Sequence, residues 1–164
     1  MFKSIFVPIL AVAAFITVVG YFYKNPQKIN ISAPQNSVKI AEVKIPVELA
    51  DTNEKRAKGL SDRTSLDENS GMLFVFDKKS ITPVFWMKDM LIPIDMIWIG
   101  DGKIVKIDKN VPAPVAGTPD NKLPNYSPGS PIDYVLEVNS GFSDKNKFKV
   151  GDSVDLSGIY RKSF

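Results

Sequence analysis

The sequence predicts an all-β domain with minor α content: a compact β-sandwich or partly closed β-barrel with one short helix, preceded by a single N-terminal hydrophobic helix. Three observations predict it. From Val38 onward, apolar residues recur with a period of two. Turn signals come at close spacing, including an Asp-Gly pair between two β-prone runs. The stretch Ile5–Tyr23 carries no charge. The 164 residues, 44% hydrophobic and 24% charged, have ordinary globular composition and suffice for one domain with an extension.

The N-terminal element is IFVPILAVAAFITVVGYFY. As a helix it would span roughly 28 Å, close to the hydrocarbon core of a bilayer. Tyr21 and Tyr23 stand at one end, where amphipathic rings favour the interface. Pro8 falls in the first turns, where it disturbs a helix least. The segment has no polar face, which argues against a buried helix of a soluble domain. It reads as an uncleaved anchor or as a secretory signal with its apolar region at Ile5–Thr17, cut after Gly20. The anchor is the expectation, because Tyr21-Phe22-Tyr23 continues the apolar run. Lys24 and Lys28 outnumber Lys3, which would hold the C-terminus inside. Hydrophobic segments with very short leading tails usually export the domain on their C-terminal side. An extracytoplasmic domain is therefore expected, secreted if the segment is cleaved. Residues 1–24 are thus an anchor or signal, 25–37 (rich in Asn, Gln, Pro and Ser) a flexible linker, and 38–164 the β domain.

Val43, Ile45, Val47 and Leu49 alternate with Lys44, Pro46 and Glu48, a half-buried strand. Pro46 has no N–H, which predicts an edge position. Asp51 with Glu54 forms a capping-box pattern and Gly59 a helix stop, predicting a short helix over Thr52–Lys58. Gly71–Phe76 is a continuous apolar run and reads as a central strand. Pro83–Lys88 is the next candidate, with Phe85 and Trp86. Asp95–Ile99 and Lys103–Ile107 flank Gly100-Asp101-Gly102 as a hairpin. Pro112, Pro114, Pro119, Pro124, Pro128 and Pro131 mark a long loop, either a functional flap or a tolerated insertion. Ile132–Val138 and Asp152–Leu156 are the last strands. No internal repeat is visible.

The chain has neither Cys nor His. That excludes disulfides, thiolate nucleophiles, zinc–thiolate sites, Ser-His and Cys-His triads and imidazole metal ligands. No spaced Asp/Asn/Gly calcium loop is present, and neither a metal nor a cofactor is expected. The 21 basic and 18 acidic residues give a net charge of +3. Lys145, Lys147 and Lys149 are the densest basic cluster, with Asp144 and Asp152 beside them. That is a solvated turn rather than a nucleic-acid stripe.

Two places put polar residues among apolar ones. In FWMKDMLIPID, Phe85, Trp86, Met87, Met90, Leu91, Ile92 and Ile94 all favour burial, while Lys88, Asp89 and Asp95 interrupt them. In Tyr134–Val138, Glu137 shares a strand face with Val135, and both faces are apolar-rich. The strand is therefore largely buried and Glu137 needs a partner, which Arg56 or Arg63 could supply. One reading is a pocket lined by Trp86 with Arg63, Lys88, Asp95 and Glu137 converging on it, and Arg56 and Asp89 as secondary candidates. The other is a set of structural ion pairs that close the barrel end and hold the helix on the sheet.

The segments EKRAKGLSDRTSLDENSGMLFVF, FWMKDMLIPIDMIWIGDGKIV, YVLEVNSGF and KVGDSV occur in this order. Together, over Val43–Val154, they resemble the DUF192 family. The resemblance implies a compact all-β sandwich or barrel and carries no established activity. It points to Arg56, Gly59, Leu60, Arg63, Gly71, Met72, Phe74, Trp86, Met87, Lys88, Ile92, Pro93, Asp95, Glu137, Gly141, Gly151 and Asp152 as recurrent positions. Ser61 stands where Met is usual and Asp89 where Asn is common; the latter could alter ligand preference.

The functional expectation is a membrane-tethered extracytoplasmic domain that binds a small polar molecule, glycan or peptide, with the bilayer as partner through Ile5–Tyr23. One alternative is a structural or assembly partner of a membrane protein. Another is a hydrolase independent of His and Cys that uses Asp95 and Glu137 as a carboxylate pair.

Overall fold

The computed structural model describes residues 36–160. The anchor or signal expected at Ile5–Tyr23 and most of the expected linker lie outside them. Among the described residues, no helix is long and apolar enough to cross a membrane. Ser37, assigned to the linker on composition, opens the first strand.

Strands β1 (Ser37–Ile40) and β2 (Val43–Ala50) form an antiparallel hairpin. Helix α1 (Asn53–Lys58) and the turns after it lead to β3 (Gly71–Val75), which lies parallel to β2. A short β4 (Phe85–Trp86) precedes the hairpin of β5 (Ile94–Gly100) and β6 (Lys103–Val111). A 3₁₀ turn at Asp120–Lys122 leads to β7 (Asn125–Tyr126), then β8 (Tyr134–Asn139), α2 (Phe142–Lys145) and β9 (Val154–Asp155).

The main sheet runs β6-β5-β8-β3-β2-β1-β9. Its two ends meet: Lys103 bridges Ser153, and Val154 N–H donates to Gly102 O at 2.8 Å. The sheet therefore curls into a nearly closed barrel, which leaves almost no free edge. Of the two expected architectures, the barrel is the one formed. At the β5–β6 turn Asp101 and Gly102 both have positive φ, 50° and 67°. That is the conformation a two-residue hairpin turn requires and Asp-Gly supplies.

The period of two sorts the strands into two apolar layers. Leu73 and Val75, Ile97 and Ile99, Leu136 and Val138 point inward, with Val38, Ile40 and Ile45, to fill the barrel. The alternate residues Met72 and Phe74, Ile94, Met96 and Trp98, and Val135 point outward into a second cluster. Met87, Met90, Leu60 and Ile132 cover that outer layer. Burial on both faces makes β3, β5 and β8 continuous apolar runs.

Four expectations change. First, β2 is interior to the sheet, not an edge. Ser37 opposes Pro46, and the adjoining ladder bond runs from Val47 N–H to Asn36 O at 2.8 Å. The side of Pro46 that lacks a donor therefore faces away from β1, and β3 pairs only from Val47 onward. Second, the helix cap is Thr52, whose Oγ1 accepts from Lys55 N–H at 3.2 Å; Asp51 instead meets Lys55 Nζ. Third, the strand expected over Pro83–Lys88 shrinks to two residues. It pairs not with the barrel but with β7, inside the proline-rich segment. That segment has structure of its own. Fourth, Trp86 and Leu91 are about half exposed (48% and 56%) rather than buried.

Candidate functional site

An outward face of the barrel carries a cleft of about 620 Å³. Its walls come from α1 and the turn after it, from Phe74 and Phe76, from Pro83–Trp86 and from Lys88–Met90. Glu137 lies among them. Phe85 anchors the aromatic side, with edge-on contacts to Phe74 (4.9 Å between centroids), Trp98 (5.4 Å) and Phe76 (6.5 Å). Trp86, next in sequence on a strand, turns the other way and stands half exposed at the mouth.

The turn after β4 gives the FWMKD segment its shape. Met90 N–H donates to Met87 O at 3.2 Å, and Asp89 sits in the left-handed region at φ 56°. Asp and Asn tolerate that conformation best among residues other than glycine. An acid at position 89 therefore answers first to the backbone. Two bonds lock this turn to the loop after α1: Asp62 N–H to Asp89 O (2.8 Å) and Ser61 Oγ to Lys88 O (2.9 Å).

Glu137 is the unusual group. It sits in the middle of β8, opposite Met72 on one side and Met96 on the other. The residue is 5% exposed. Among the described residues its carboxyl has no hydrogen bond and no ion pair. Burial without a compensating partner disfavours the anion and pushes the pKa up to about 8. On the other face of the sheet, Gly71 lets the backbones of β3 and β8 approach closely. A Cβ there would lie 2.6 Å from the backbone oxygen of Glu137.

The three cations at the cleft are already engaged. Arg56 donates to Val75 O (2.6 Å), Asn53 Oδ1 (2.6 Å) and Asp77 (3.0 Å). Lys58 pairs with Asp62. Lys88 reaches Asp120 of the 3₁₀ turn at 2.5 Å and lies 5.5 Å from the centre of the Trp86 ring. Asp120 holds that ammonium above the usual lysine range. The proline-rich segment is thus pinned beside the cleft by this ion pair and by the β4–β7 pairing.

Of the residues singled out from the sequence, Trp86, Lys88, Glu137, Arg56 and Asp89 come together at the cleft. Arg63 does not join them. It forms a two-pronged pair with Glu48, at 2.6 and 2.8 Å, which draws the Glu48 carboxyl below its usual range. Neither arginine partners Glu137. Asp95 lies on the opposite face of the sheet. Its neighbour Met96, not Asp95, stands opposite Glu137. Fully buried, Asp95 accepts from the backbone N–H groups of Asn110 (2.8 Å), Gly141 (3.1 Å) and Ser143 (2.8 Å). It thereby ties β6 and the start of α2 to β5. Asp95 and Glu137 therefore do not form the carboxylate pair that hydrolysis would need. Sequence reasoning missed Leu60, Phe74, Phe85 and Met90 as cleft walls, because apolar side chains at strand spacing look the same in a core and in a pocket. Among the described residues, no cluster of three or more acidic side chains is placed to hold a metal ion.

The described residues form a nearly closed barrel with an aromatic cleft on its outer face and a lone buried acid within that cleft. Residues 36–156 match the DUF192 family (Uncharacterized ACR), and the chain belongs to it. It is similar to a Sinorhizobium meliloti protein provisionally described as a transcription regulator, with 30% identity and a TM-score of 0.65. That match covers 76% of this chain and 95% of the other. It is also similar to a Novosphingobium aromaticivorans protein of unknown function, with 29% identity, a TM-score of 0.64, and coverage of 77% and 89%. No curated protein matches the chain.

Proposed function

We propose that this protein is a ligand-binding domain held at the outer side of a membrane by its Ile5–Tyr23 segment, with the Glu137 cleft as the binding site. The observation that carries the reading is the unpartnered carboxyl of Glu137 beneath an aromatic cleft. The residue is almost wholly covered, and its carboxyl oxygens open only onto the cleft, so a ligand there can supply the partner that the protein does not. The cleft volume suits a small molecule, with apolar walls and a few polar groups to orient it. The uncharged Ile5–Tyr23 run, with tyrosines at its end, supports the tether.

A fragment screen by NMR on the full-length chain tests the site. Hits should move the resonances of Trp86, Phe85 and Leu60, and Trp86→Ala should remove them while the fold persists. Hits that perturb a different surface, or that survive Trp86→Ala unchanged, would overturn the assignment. Cell fractionation with protease added from outside tests the tether; a domain shielded from protease in intact cells contradicts it.

A second reading has one observation in its favour. Val84, Trp86 and Leu91 lie close in sequence and are all exposed apolar residues. Such a surface suits docking on a membrane-protein partner. Cross-linking through position 91 to one such partner would favour it.

A further inference from the structure

Each cation at the cleft has an anionic partner: Arg56 with Asp77, Lys58 with Asp62, Lys88 with Asp120. The two acids at the cleft do not. Glu137 lies within it, and Asp89 is exposed, in the field of the neighbouring Lys88 but with no ion pair or side-chain hydrogen bond among the described residues. The remaining groups around Glu137 bring no positive charge: β3 presents Met72 and Phe74, and β5 presents Met96. What the site lacks is a cation. Its walls already suit one, because aromatic faces attract desolvated ammonium groups.

From this juxtaposition, an unpartnered buried acid among aromatic walls whose basic groups are all neutralised, we propose that the cleft takes a small organic amine. Its ammonium would pair with Glu137 and its apolar body would lie against Phe85 and Trp86. This rests on the binding reading above and names the class of ligand. Binding moves a proton: the amine enters as a cation, and the neutral Glu137 carboxyl loses its proton to solvent as the ion pair forms. The raised acidity range of Glu137 makes that release visible near neutral pH. The other charged groups lining the cleft are Arg56, Lys58, Asp89 and Lys88, the last held above the usual lysine range by Asp120.

Three probes of one shape test the proposal on the full-length protein by calorimetry and NMR: phenethylamine, the neutral 2-phenylethanol and the anionic 3-phenylpropanoate. The amine should bind best. Its affinity should rise about tenfold per pH unit between about pH 6 and 7.5 and level off above about 8, with close to one proton released per amine at pH 7. Glu137→Gln should abolish that pH slope and weaken the amine at least about tenfold at pH 8. The same variant should keep the parent's dispersed NMR spectrum, with shifts changed only near the cleft, which shows that its barrel is folded. If the alcohol or the carboxylate binds as well as the amine, the amine assignment fails and the binding site stands. If none of the three perturbs the cleft, both fail.

Discussion

Replacing Glu137 by glutamine should stabilise this protein, by an amount that grows with pH. Burial pushes the folded carboxyl up to about 8, from 4.5 for the free side chain. Between these values the folded state holds a proton that the unfolded state has released. The stability associated with it is fully present below pH 4.5 and drains away as pH rises to 8. A gap of this size corresponds to about 5 kcal/mol above pH 8, and to about 3 kcal/mol at pH 7. Glutamine has nearly the same shape and never ionises. Urea unfolding of both proteins from about pH 4 to about pH 9 isolates the effect, because every other titrating group cancels in the difference. The two stabilities should agree near pH 4 and diverge steadily in favour of the variant. Curves that stay parallel would show that Glu137 has a partner or reaches water freely, and the reasoning about its burial would fall.

Asp95→Ala should destabilise by at least about 3 kcal/mol in chemical denaturation, because three backbone donors lose a charged acceptor in a dry site. A loss below about 1 kcal/mol would mean that the barrel end is held by other contacts. Gly71→Ala places a methyl group against the backbone oxygen of Glu137 and should cost about 1–3 kcal/mol, read as a fall in the melting temperature. Arg63→Ala breaks a partly exposed pair with Glu48 and should cost about 1 kcal/mol or less, with probe binding at the cleft unchanged. Loss of binding in that variant would restore Arg63 to the site.

The period-two runs of β3, β5 and β8 and the Asp-Gly turn were legible because local pattern and tertiary role coincide there. Pro46 misled because an edge strand and an interior strand with one unpaired stretch both tolerate a missing donor. Barrel closure was not legible: it depends on Lys103 meeting Ser153, a contact between distant segments that leaves no local signature. Glu137 could be read as buried from its two apolar faces. Its lack of a partner could not, since Arg56 and Arg63 were equally available in sequence and only the fold sends them to Asp77 and Glu48. Asp95 looked like a member of the same site because it too interrupts an apolar run. Strand parity puts it on the other face.

A direct test is the titration of the Glu137 side-chain carboxyl by carbon-13 NMR in the full-length protein, assigned by comparison with Glu137→Gln. A midpoint near 8 that falls when phenethylamine is added is the expected result. A midpoint in the ordinary carboxylate range would mean that the acid is neither desolvated nor waiting for a partner, and the cleft would lose the feature that marks it as a binding site.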